Sequence, residues 1–235
     1  MFKKIRLYGI RRSLGYGISE ARYLLRKKIL KSFSQDGEDL LIDKILGYKK
    51  KGFYVDVGAF DPHRFSNTKR FYLRGWRGIN IEPNPRGYKK FLENRPRDIN
   101  LNLGIAKKSG FMIFYEMFPP TLSSFSLEEI KQYQKKGYKL VKKFKIPVRT
   151  LFSVLDKYAK NKKIDFMSID TEGFDLVVLK SNDWNKFRPK IVCIETSHQI
   201  SENSDNKLSF LKGVGYKIVT DNGLNAIFID TKNDK

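Results

Sequence analysis

The chain has 235 residues, 40% hydrophobic and 14% aromatic, with a formal charge of +22. That length supports one sizeable core with appendages. A single cysteine, Cys193, excludes an internal disulfide, and no apolar run is long enough to suggest a membrane-spanning helix. Cys193 lies in the apolar run 191–194 and reads as a small buried side chain in a reducing compartment, which points to a cytoplasmic protein. The basic start has no apolar centre of the kind a secretory signal needs.

Residues 1–31 hold ten Lys and Arg against one acid, Glu20, with apolar residues between them. Such a segment suits an anionic membrane surface or nucleic acid, or it packs as a solvated helix on its own domain. The apolar interleaving favours a peripheral membrane contact at the inner face. No nucleic-acid motif accompanies the charge, so nucleic acid is not the expected partner. Glycines at 9, 15 and 17 leave 19–31 as the best helix there. We divide the chain into this basic segment, 1–32, and one domain, 33–235.

A second helix is expected from Ser34, with Leu41, Ile42, Ile45 and Leu46 on one face and Gly47 as its stop. Strand and helix then alternate. Strand 53–57 leads to a polar loop and a helix from about Asn67. Strand 79–81 leads to Asn84-Pro85, an N-cap followed by proline at the first helical position. Strand 99–105 follows, with 111–115 as its expected hairpin partner across a turn at 107–110. The basic stretch 121–145 has no clear assignment. Thr150 should cap a helix bearing Leu151, Val154, Leu155 and Tyr158. Strand 164–169, a helix from about Gly173, strand 190–195 and a helix near 207–211 complete the alternation. A closing hairpin, 216–220 and 225–229, should turn at Asn222-Gly223 as type I′. Alternation of this kind gives an α/β fold with a mostly parallel sheet covered on both faces, and an antiparallel hairpin at its edge region.

Ligands of such a sheet bind beyond the carboxyl ends of its strands. After the first strand come Asp56, Gly58, Ala59 and His63, then Ser66, Asn67 and Thr68. Gly58 lets a ligand approach the backbone. Asp56 is either a ligand residue or a satisfied buried acid. Ser66 reads first as part of a helix cap and second as a ligand donor. Glu82 and Pro83 follow the second strand, and a carboxylate there can accept two ribose hydroxyls. Asn102 and Gly104 lie at the third strand, Asp170–Gly173 after the fourth, and Glu195, Thr196 and His198 after the fifth. Asp170 and Thr171 could equally cap the next helix.

The blocks Ser34–Asp39, Tyr54–Ala59, Ser66–Thr68, Gly75–Pro85, Ile146–Leu151 and Ser168–Gly173 occur in order. Together they make the chain, over about 33–200, resemble the FkbM-type methyltransferases. That resemblance implies a Rossmann-like methyltransferase fold with a seven-stranded sheet and S-adenosylmethionine as methyl donor, usually to oxygen. Known acceptors of the family include sugar hydroxyls of glycans and glycolipids, and hydroxyls of natural products. It also implies that Asp56, Gly58 and Ala59 lie against the methionine part of the donor, that Glu82 holds the ribose, and that Gln35 and Glu38, in the block 35–39, close over it. Asn102 is the candidate for the adenine side, on a looser match.

A sugar hydroxyl is a poor acid, so transfer needs a base or a metal. His63, His198, Asp170 and Glu195 are the base candidates. Alternatively Asp170 and Glu195, with a neighbouring side chain, bind Mg²⁺, an ion suited to oxygen ligands. The leading expectation is an O-methyltransferase of a surface glycan or its lipid-linked precursor. Two other readings stand beside it: O-methylation of a small natural product, and a non-catalytic basic module for nucleic acid or membrane.

Overall fold

A computed structural model describes residues 21, 23–25, 27–196 and 204–232. Within the expected N-terminal segment, residues 21, 23–25 and 27–30 are helical; 1–20 lie outside the described residues. The elements that follow are α1 (Glu38–Ile45), β1 (Phe53–Val57), α2 (Lys69–Leu73), β2 (Arg77–Ile81), α3 (Pro85–Asn94), β3 (Ile99–Leu101), β4 (Gly104–Ile105), β5 (Gly110–Phe118) and α4 (Leu127–Lys135). The chain continues through β6 (Lys139–Arg149), α5 (Leu151–Tyr158), β7 (Phe166–Ile169), α6 (Asp175–Lys180), β8 (Ile191–Glu195), α7 (Ser204–Gly213), β9 (Tyr216–Asp221) and β10 (Asn225–Asp230).

Seven strands form one sheet in the order β3-β2-β1-β7-β8-β10-β9. The pairs from β3 to β8 are parallel, and β10 runs antiparallel to both β8 and β9. This is the Rossmann-like methyltransferase arrangement: a mostly parallel sheet whose closing hairpin inserts its second strand beside β8. Every residue of β1 is buried, because the sheet is covered on both faces. Its side chains alternate between two cores. Phe53, Val55 and Val57 join Leu151, Val154 and Leu155 of α5, while Tyr54 joins Phe71, Trp76 and Phe166 on the other face. Cys193 is buried in that second core and burial pushes its thiol well up, which fits an inert small side chain.

Local chemistry sets several boundaries. The Asn84 side chain accepts from Arg86 N with Pro85 behind it, and Thr150 Oγ1 accepts from Ser153 N at 3.1 Å. The helix expected from Ser34 starts later, at Glu38. Ser34 Oγ instead accepts from the N–H groups of Gly37 and Asp39, and Gly37 sits at φ 94, outside any right-handed helix.

The expected strand 99–105 is two strands in different sheets. The β2–β3 ladder ends at Leu101, where the Asn102 amide turns in to donate to the Glu82 and Pro83 carbonyls, both at 2.9 Å. The chain leaves the sheet there. β4 then joins β6 in a second sheet, β4-β6-β5, so the expected hairpin partner of 99–105 is paired with β6 instead. The unassigned stretch 121–145 supplies α4 and most of β6. The closing hairpin forms, but not on a type I′ turn: Asn222 keeps a negative φ, and its side chain accepts from Leu224 N and Asn225 N.

Candidate active site

The carboxyl ends of β1, β2 and β7 open into one cavity of about 300 Å³. At its base the turn after β1 folds onto β2: Gly58 N and Ala59 N both donate to Ile81 O. Gly58 has φ 79, and a Cβ there would lie 1.8 Å from Asp170 O. Only glycine lets the turn after β1 touch the turn after β7.

Asp56 lines the cavity and accepts from Thr68 Oγ1 at 2.6 Å. Behind it, fully buried Arg95 donates to Thr68 Oγ1, Ser66 Oγ and Pro62 O, tying the loop after β1 into a fixed shape. Burial pushes Asp56 up to about 6, against the pull of Thr68 and Arg95. Glu82 is 5% exposed and holds two backbone donors, Phe60 N on Oε2 and Asn84 N on Oε1, each at 2.7 Å. Burial still dominates and pushes its carboxyl up to about 8, with Asp56 and Asp61 adding repulsion. Gly87, at the start of α3, lies so close that a Cβ would sit 2.9 Å from Glu82 Cγ.

The second sheet roofs the cavity. Phe114 and Glu116 of β5 line it with Phe125, whose ring meets Phe114 edge-on at 5.0 Å. Glu116 is 4% exposed; its Oε1 accepts from Asn84 Nδ2, and Oε2 has no hydrogen-bond partner.

A second cavity, also about 300 Å³, adjoins the first, and the two share Gln35, Phe60, Phe65, Asp170 and Glu172. Tyr133 and Glu195 line the second alone. Oxygens of Asp170, Glu172 and Glu195 lie within 4.8 Å of one another. The Asp170 side chain has surface open to the cavity, yet it sits in a concavity crowded by protein atoms. Burial and the nearby Asp175 push Asp170 up to about 7, while a hydrogen bond with Glu195 pulls the other way. Burial and Asp170 also raise Glu172, which accepts from Tyr133 Oη at 3.2 Å. Asp175 anchors this turn by accepting from Thr171 N and Oγ1, and Lys207 Nζ donates to it at 2.9 Å from the buried side of α7. Thr171 and Asp170 therefore do not cap α6; the first residue of that helix holds them.

Of the residues expected from sequence, Gln35, Asp56, Gly58, Ala59, Glu82, Pro83 and Asp170 line the first cavity, and Glu195 lines the second. Three others stand behind the wall and act on it. Glu38 accepts from Asp36 N and Asn225 Nδ2. Ser66 is engaged with Arg95 and Lys69 N. Asn102, expected on the adenine side, holds the Glu82 and Pro83 carbonyls. His63 lines neither cavity, and its Nε2 lies 2.8 Å from Asn94 Oδ1; it is not placed to serve as the base there. His198 lies outside the described residues. Glu172 stood in the Asp170–Gly173 block without being singled out. Glu116 arrives from β5, Phe125 from the segment between β5 and α4, and Tyr133 from α4, by long-range pairing that no local motif signals.

The acidic wall, two backbone donors on a buried carboxylate and apolar sides from Ile81, Leu103 and Ile105 suit a cationic nucleoside ligand. A family model described as Methyltransferase FkbM domain matches residues 56–218. No curated protein matches the chain. Among solved structures, a TehB-like SAM-dependent methyltransferase from Corynebacterium glutamicum aligns at 11% identity and TM-score 0.46, over 91% of this chain and 98% of that one. The 1,6-didemethyltoxoflavin-N1-methyltransferase of Burkholderia thailandensis aligns at 9% and 0.43, over 93% and 87%. Aeropyrum pernix fibrillarin, with natively bound S-adenosyl-L-methionine, aligns at 11% and 0.42, over 83% and 73%. Likeness this distant adds nothing to what the sheet order already establishes.

Proposed function

Because the chain belongs to the FkbM methyltransferase family, we propose that it moves a methyl group from S-adenosylmethionine to a hydroxyl oxygen. The acceptor in this reading is a sugar of a surface glycan or of its lipid-linked precursor. The observation that carries it is the shared wall: Asp170 belongs to both cavities, so one carboxyl faces the donor space and the space beside it.

When bound, S-adenosylmethionine supplies a methyl group on a sulfonium, which is its own leaving group. In its ionised form Glu82 has lone pairs left for two ribose hydroxyls after accepting its two backbone N–H groups. Asp56 and the turn at Gly58 offer negative charge and a close backbone to the methionine end. Asp170 takes the acceptor's proton as general base. Its raised pKa, about 7, suits a group that must hold a proton and give it up near neutrality. Glu195, hydrogen-bonded to Asp170, shares that proton, and the charge of nearby Glu172 favours keeping it there.

The convergence of Asp170, Glu172 and Glu195 favours one variation, in which these carboxylates would hold a hard divalent cation such as Mg²⁺, whose chemistry would be to acidify the hydroxyl. Turnover on a panel of glycans and lipid-linked sugars tests both versions. Asp170→Asn should lower kcat by about 100-fold or more while donor affinity stays within about threefold. An unchanged kcat would remove Asp170 from the mechanism, and full activity after exhaustive chelation would remove the cation. Turnover only on a small soluble non-sugar hydroxyl would replace the acceptor class.

A further inference from the structure

The helical residues 21, 23–25 and 27–30 carry a surface that the other described residues do not cover. Leu24, Leu25, Ile29 and Leu30 are between 52% and 66% exposed, although Tyr23 beside them is 4% exposed. Leu25 and Ile29 are four residues apart and share the helix face turned away from Tyr23. Lys28, also exposed, borders that face, while Lys27 lies on the Tyr23 side, near Lys69.

Tyr23 fixes where this surface sits. Its ring meets Phe65 edge-on at 5.1 Å, and its hydroxyl donates to His63 O at 3.0 Å. Arg64 lies over the Phe65 ring at 3.8 Å. Phe65 lines both cavities and Arg64 lines the second. The apolar, basic helix is therefore docked at the mouth of the space beside the donor.

From this juxtaposition we propose that the helix face of Leu25 and Ile29 inserts into an anionic bilayer surface and sets the second cavity against the headgroup layer, where a lipid-linked acceptor would present its sugar. The proposal rests on the acceptor reading above for its substrate and on the described helix for its surface. Charge selects the partner. An exposed apolar face bordered by Lys28, on a chain of +22, matches an anionic interface, with Leu25 and Ile29 in the acyl boundary and the lysine ammonium at the phosphates. A second copy of the chain, itself carrying +22, would be repelled. Nucleic acid would meet the lysines but offers nothing to the leucines.

The full chain is mixed with phosphatidylcholine vesicles, with and without phosphatidylglycerol, and sedimented. Wild type should pellet with the anionic vesicles and stay in solution with the neutral ones. The double variant Leu25→Glu/Ile29→Glu should bind them at least about tenfold more weakly while binding S-adenosylhomocysteine as wild type does. Both side chains are already exposed, so the change leaves the core intact. Equal pelleting of the variant, or none of the wild type, overturns the proposal, as does a preference for generic duplex RNA over anionic vesicles. Vesicle binding without sugar methylation would sink the acceptor reading and keep the surface; methylation of soluble sugars without vesicle binding would do the reverse.

Discussion

Glu82 gives the sharpest prediction, because its environment asks for two different charge states. Without a ligand, burial raises its carboxyl to about 8, so it holds a proton at neutral pH. Ribose hydroxyls need the ionised form as acceptor. Donor binding should therefore expel that proton, and affinity should fall as pH drops below about 8. The sign follows from the raised value: the ligand binds the deprotonated form, so acid competes with it. Each pH unit is worth 1.36 kcal/mol, so affinity at about pH 6.5 should be roughly thirtyfold below its plateau. Calorimetric titration of S-adenosylhomocysteine in buffers of different ionisation enthalpy measures affinity and proton release together. The ligand's own α-amino group titrates nearby, so the readout is the difference between wild type and Glu82→Gln. That variant has no proton to lose. Its amide also places an N–H₂ against Phe60 N or Asn84 N, which both donate to the carboxylate now. Binding should weaken overall, by about 1–3 kcal/mol, and the protein's share of the pH dependence should vanish. Parallel pH slopes in the two proteins would refute the reasoning, whatever their absolute affinities.

Two further outcomes follow from the packing around the site. Gly58→Ala should abolish donor binding and lower stability by at least about 2 kcal/mol, because its Cβ would occupy the position of Asp170 O at a positive φ; calorimetry with thermal melting checks both, and a fold and affinity like wild type would contradict the contact. Lys207→Met should cost about 3–5 kcal/mol in urea unfolding, since it leaves Asp175 buried without its cation, and kcat should fall with it because Asp175 holds the turn of Asp170 and Thr171.

Local patterns announced what is locally determined. β1, the Asn84 and Thr150 caps, and the closing hairpin could be read because apolar runs and capping residues act within a few positions. Six residues of the first cavity, Asp56, Gly58, Ala59, Glu82, Pro83 and Asp170, could be read for a related reason: in a parallel sheet the strand ends converge, so finding the strands finds the floor; Gln35 came only from the family resemblance. The roof could not. Pairing of β5 with β6 joins Gly110 to Val148 and is set by burial of Phe114, Phe125 and Ile146 against each other. The end of β3 depends on an Asn102 side chain reaching the Glu82 and Pro83 carbonyls just past β2, which no propensity describes. His63 looked reactive from its place after β1, but the Arg95 network turns that loop so that Phe60 and Phe65, rather than the imidazole, face the ligand space.

The raised carboxyls also govern how charge moves through a turnover. A sulfonium enters as a cation, and its arrival is easiest if the acids of the floor release protons to receive it. In the proposed reaction, methyl transfer would turn the cation into a neutral thioether and leave one proton from the acceptor hydroxyl beside Asp170. Ordinary carboxylates would let that proton escape and would remain as bare anions around a neutral product. Asp170, held at about 7, would keep it instead. The site would thus keep the same net charge before and after the bond changes, and the electrostatic grip that held the donor would be released by the reaction itself.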